Sequence, residues 1–185
     1  MMYSHLLFST IWIPFIYGLI FLVFVKDAKT LGVRLLGLSG ATLPFICAWI
    51  LYFNYDSSLV NAYNFELILP TGLESLGIFL HLGLNGISLP LFILSATVGL
   101  SAIAYALFSN AERLNLYVGL LFLMFSGLMG TFASVDLFFF YFFHEFALIP
   151  TFIMIMIWGG ATRHAVSLEM TIYLTLGALL SLIGL

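Results

Sequence analysis

Charge is scarce in this chain. Five residues are Lys or Arg and eight are Asp or Glu, 7% of the 185, where a soluble domain carries about a quarter. With a net charge of −3 there is no basic surface, and nucleic-acid binding has no support. Cysteine is nearly absent too. A lone Cys47 excludes an internal disulfide framework and a cysteine-ligated iron–sulfur cluster within the chain. No Gly/Ser-rich linker divides the sequence, and no convincing internal repeat organises it. What remains is apolar: 63% of residues, with a mean hydropathy of +1.20. No soluble fold buries that much apolar side chain, so the solvent is lipid and soluble-enzyme readings fall away.

A spanning helix needs about 20 mostly apolar residues. Six segments qualify: Leu6–Val25, Leu35–Phe53, Leu84–Phe108, Leu114–Ser134, Leu137–Trp158 and Ala165–Leu185. The expected fold is all-α, a single polytopic membrane domain over residues 1–185. The first segment does not read as a signal peptide, because the leader MMYSH has no Lys or Arg and the basic residues follow the apolar run. Lys26, Lys29 and Arg34 lie between helices one and two, Arg113 between three and four, and Arg163 between five and six. All share one side, which the positive-inside rule makes cytoplasmic or mitochondrial matrix. The N-terminus and residues Asn54–Gly83 are then expected outside. That external segment carries FELIL and LGIFLHL around the turn-rich PTGLES, which suits a surface hairpin or an interfacial helix. Its acids Asp56, Glu66 and Glu74 read as a solvated face. The chain ends abruptly at LSLIGL, as if truncated or built to abut another polypeptide.

Chemistry concentrates in YFFHEFALIPTF, residues 141–152. Glu145 falls near the middle of helix five. An ionised acid at the bilayer centre costs about 2.5–3.5 kcal/mol on insertion scales. It is therefore expected to face protein or a wet cavity. A carboxyl withdrawn from water holds its proton more tightly, which suits a proton relay. The alternative is a protonated, hydrogen-bonded structural glutamate. Pro150 cannot donate to the carbonyl of Phe146, so a kink or opening is expected one turn past Glu145. His144 is about 100° around the helix from Glu145, so no simple face-to-face pair is expected; it is either a second relay group or a packed neutral imidazole. A haem-ligand role needs a second mid-membrane histidine, and His5, His81 and His164 lie at or outside membrane ends. Glu169, about one turn into helix six, is a hydrated interfacial acid or a relay group at the cytoplasmic entrance. Asp136 reads as the cap of helix five. Gly127, Gly130 and Ala133 form a small-residue packing face on helix four.

Helices three to six carry specific motifs: Gly86-Ile87-Ser88-Leu89-Pro90, Asp136-Leu137-Phe138, Glu145, Leu148-Ile149-Pro150, Trp158-Gly159-Gly160 and, more loosely, YLTLGALL. In these the chain resembles the antiporter-like proton-translocating subunit of respiratory complex I, the NADH-quinone oxidoreductase subunit M and chain 4 family. These proteins are also related to subunits of multisubunit Na⁺/H⁺ antiporters and membrane-bound hydrogenases. The resemblance implies that Glu145 is the proton-pathway glutamate, working with a lysine on a later helix. It implies an external N-terminus, and an N-terminal six-helix portion of a family with about fourteen helices. The sequence departs from the family at His144, where a large apolar residue is common, at Asn85, where Asp is common, and at Glu169, where a lysine is frequent.

The resemblance implies a proton-translocating subunit of an NADH:quinone oxidoreductase, not catalytic alone. NAD, FMN, iron–sulfur clusters and quinone are expected in partner subunits; no cofactor or metal is expected in this chain. Expected partners are the other membrane subunits of complex I, a second polypeptide completing the fold, and lipid. The bacterial inner membrane is the expected location, ahead of the mitochondrial inner or thylakoid membrane. The alternatives are a subunit of a Na⁺/H⁺ antiporter or membrane-bound hydrogenase, or a truncated scaffold piece that transports nothing.

Overall fold

Long apolar runs joined by short polar links fold as helices running up and down. The computed structural model describes residues 2–26, 30–58, 62–72, 77–109 and 111–184. In chain order these form α1 (Met2–Val23), α2 (Leu31–Phe53), β1 (Asn64–Leu69), β2 (Leu80–Leu84), α3 (Ser88–Phe108), α4 (Leu114–Ala133), α5 (Leu137–Trp158) and α6 (Arg163–Gly184). At 1.5 Å per residue, helices of this length run about 30–35 Å, the thickness of a bilayer's hydrocarbon core. Among the described residues five of them, α1 to α5, are long and apolar enough to cross a membrane. The sixth has a matching length of 22 residues.

Helix α4 is the centre, with α1, α3 and α5 packed around it. Two-thirds of its spanning window is buried, against 17% for α5. Small residues let α5 approach. A Cβ built on Gly127 would meet the Ala147 Cβ at 2.8 Å and its backbone nitrogen at 2.9 Å. One built on Gly130 would fall 2.3 Å from the Phe143 ring. Close approach of backbones is how helices gain dispersion contacts in lipid, where tails are as apolar as leucine. On the opposite flank, the buried Ser126 hydroxyl donates to the Ile11 carbonyl of α1 at 2.8 Å.

One end of the bundle carries the hairpin. Strands β1 and β2 pair antiparallel, Leu67 with Leu82 and Ile68 with His81, with an irregularity between Asn64 and Leu67. Phe65 takes a positive φ of 59° within that irregularity. Leu82 and Leu84 face the helices and are buried. The Val135 amide donates to the His81 carbonyl at 2.9 Å, fastening the hairpin to the start of α5. Helix α3 begins at Ser88 rather than at the expected Leu84, which belongs to β2. The cause is Asn85. Its side-chain oxygen accepts from the Ile87 and Ser88 amides at 3.0 and 2.8 Å, and the Asn85 amide donates to the Ser88 hydroxyl at 3.0 Å.

The other end carries the basic residues. Arg34 of α2 lies over Phe108, the last residue of α3; the Asn115 amide of α4 donates to the Val25 carbonyl at 3.1 Å; the Trp158 indole of α5 donates to the Glu112 carbonyl at 3.0 Å. These contacts bring Lys26, Arg34, Arg113 and Arg163 to one end of the bundle, opposite the hairpin. Lys29 and Glu74 lie outside the described residues.

Candidate functional site: a polar pair on the fifth helix

Helix α5 is set by its two ends. Asp136 precedes its first turn and accepts from the Phe139 amide at 3.2 Å. Gly159 closes it, its amide donating to the Ile155 carbonyl at 2.8 Å. The helix continues through Pro150, which is buried. One residue beyond, the Thr151 hydroxyl donates to the Ala147 carbonyl at 2.9 Å. From Leu137, Glu145 stands roughly 12 Å along the axis, and Trp158 is about 20 Å further. The carboxyl is therefore within the spanning segment, nearer the hairpin end.

The structure brings His144 and Glu145 together. Nδ1 of His144 is 3.8 Å from Oε1 of Glu145, longer than a hydrogen bond and within ion-pair range. Two neighbours on a helix point about 100° apart, but both side chains are long enough to swing towards each other. The His144 Nδ1 atom is fully enclosed and has no hydrogen-bond partner among the described residues. The two side chains are 37% and 40% exposed, so the pair sits at the rim of the bundle rather than inside it.

His144 also lines a cleft of about 310 Å³ between α5 and α6, with Phe140, Tyr141, Tyr173, Leu174 and Gly177. Sequence reasoning did not single out the two tyrosines. Tyr141 was within reach, since residues three apart share a helix face; Tyr173 was not, because it depends on how α6 lies against α5. Glu169 is exposed on α6 and does not line this cleft. The cleft thus gathers one imidazole and two phenols, Tyr141 and His144 from α5 and Tyr173 from α6, and the Glu145 carboxyl approaches it through His144.

No family model matches the chain. Among curated proteins it is 31% identical over 180 residues to NADH-quinone oxidoreductase subunit M of Rickettsia conorii, covering 95% of this chain and 36% of that protein. It is 32% identical over 182 residues to the chloroplastic NAD(P)H-quinone oxidoreductase chain 4 of Mesostigma viride, covering 95% and 34%. It is 29% identical over 174 residues to F(420)H(2) dehydrogenase subunit M of Methanosarcina mazei, covering 94% and 34%. The chain thus spans about a third of the length of the curated relatives it matches. Among solved structures it superposes on a chain of respiratory complex I from Thermus thermophilus with a TM-score of 0.75 at 26% identity, covering 94% of this chain and 33% of that one. A chain of an archaeal membrane-bound sulfane sulfur reductase shares the fold, with a TM-score of 0.74 at 24% identity, covering 94% and 26%.

Proposed function

We propose, from the premise that this chain is a relative of the subunit M and chain 4 proteins of quinone oxidoreductases, that it serves in the membrane arm of a proton-translocating NADH:quinone oxidoreductase. In this reading it is a non-redox subunit, and Glu145 is its proton-relay group. NAD, flavin, iron–sulfur and quinone chemistry belongs to partner subunits. The observation that carries the reading is a carboxyl within a spanning helix, 40% exposed, whose nearest charged group among the described residues is His144 at 3.8 Å. Such a group is expensive among acyl chains and marks an ion route. In this reading a coupled conformational change that alters what faces the carboxyl loads and unloads the relay. His144 is the adjacent proton-exchanging group. Glu169, a short way in from the basic end of α6, is a candidate for proton exchange there, and Pro150 loosens α5 one turn beyond the carboxyl by withholding a backbone donor.

Two further elements belong to the proposal. The basic end faces the cytoplasm or matrix of an energy-conserving inner membrane, and the N-terminus and hairpin face outward. The open side of α5, which exposes Phe142 and Ile149 a turn either side of Glu145, and the exposed Leu168 and Ile172 of α6 are covered by further helices, from a longer chain or from a second polypeptide. Substituting Glu145 by Gln in the assembled complex tests the relay. The complex should still form and reduce quinone while translocating fewer protons.

A second reading is a subunit of a related ion-coupled membrane complex with another electron donor. The F(420)H(2) dehydrogenase relative favours it. Proton translocation driven by NADH, compared with other donors, separates the two. A scaffold role without transport predicts unchanged pumping in Glu145→Gln.

A further inference from the structure

We propose that Arg34 holds the phosphate of an anionic phospholipid at the basic end of the bundle. Arg34 lies in the first turn of α2, with its guanidinium 5.4 Å from the centre of the Phe108 ring. Among the described residues its enclosed Nε has no hydrogen-bond partner and no carboxylate lies within ion-pair distance of it. Arg163, at the same end, differs: it donates to the Ile157 carbonyl at 2.8 Å. With Nε enclosed, the two terminal nitrogens of the Arg34 guanidinium are the fork of donors left to meet phosphate oxygens. The face of the Phe108 ring attracts the cation and keeps it at the end of the two helices.

The surroundings decide for a lipid over a soluble anion. Leu31 and Leu35, in the first turns of α2 with Arg34, and Phe108 are 72%, 58% and 61% exposed, an apolar border suited to acyl chains. Both helices span the membrane, so their ends lie at headgroup depth, where phosphate is abundant. A basic side chain at that depth typically gains about fivefold in binding anionic lipid.

The test uses the native membrane assembly containing this chain, in nanodiscs, with phosphatidylglycerol or phosphatidylcholine carrying a photoactivatable acyl chain. Labelled peptides are mapped by mass spectrometry. Phosphatidylglycerol is expected to label the peptides around Leu35 and Phe108 about fivefold more than phosphatidylcholine, and Arg34→Gln to equalise the two. Arg34→Lys keeps the charge but loses the fork, so it must lower the yield as well; it serves if the Gln variant does not accumulate. Equal labelling by the two lipids in the unsubstituted chain overturns the proposal. So does an equal loss in Arg113→Gln, which would mean general surface charge. Suppression by excess inorganic phosphate overturns the lipid assignment in favour of a soluble anion.

Discussion

Nδ1 of His144 lies 3.8 Å from Oε1 of Glu145 and, among the described residues, has no hydrogen-bond partner. An imidazole that near a carboxyl is placed to pass a proton to it or take one from it. In the proposed relay, His144→Phe should therefore slow proton translocation without abolishing it, while Glu145→Gln should remove most of it. Pumping rates measured in both variants check this, and a His144→Phe rate equal to the unsubstituted one would reduce His144 to a packing residue.

The α4–α5 contact has no room at Gly127, where an added Cβ already meets Ala147 backbone. Gly127→Leu should force α5 away and destabilise the bundle by about 1–3 kcal/mol, the usual range for overpacking. Unfolding in mixed micelles measures it, and an unaltered stability would mean that the two helices do not meet there.

The Ser126 hydroxyl ties α4 to the Ile11 carbonyl of α1. Interhelical hydrogen bonds of this kind average about 0.6 kcal/mol and reach about 1.7 kcal/mol in membrane proteins. Ser126→Ala should cost an amount in that range in the same unfolding assay.

In the loop before β1, the Ser58 hydroxyl and amide both donate to Asp56 at 2.7 and 2.9 Å, holding its carboxyl below the usual aspartate range. A lowered value in the folded state gives stability above the unfolded value that is lost as pH falls through the folded one. The protection of the Ser58 amide, its exchange rate compared with that of an unstructured amide at the same pH, should fall on acidification below about pH 4. Asp56→Asn should remove that step.

The fold was legible because the bilayer demands long apolar runs and the few basic residues fall in alternate joints. The start of α3 was harder to see. The run LHLGLNGISLPLFIL has no break in hydropathy, and its strand-to-helix change rests on the capping bonds of Asn85 and Ser88. Glu145 stood out as an acid amid apolar residues, but its approach to His144 did not, since helical spacing alone separates them. The exposure of Glu169 and the nearness of Tyr173 to His144 depend on the lie of α6 against α5, which no local pattern encodes.

The central claim is that Glu145 changes protonation during turnover. Infrared difference spectra of the assembled complex, recorded on quinone reduction, report this directly through the carboxylic-acid carbonyl band. The account predicts such a band in the unsubstituted complex and its loss in Glu145→Gln. Identical carboxyl spectra in the two would contradict it.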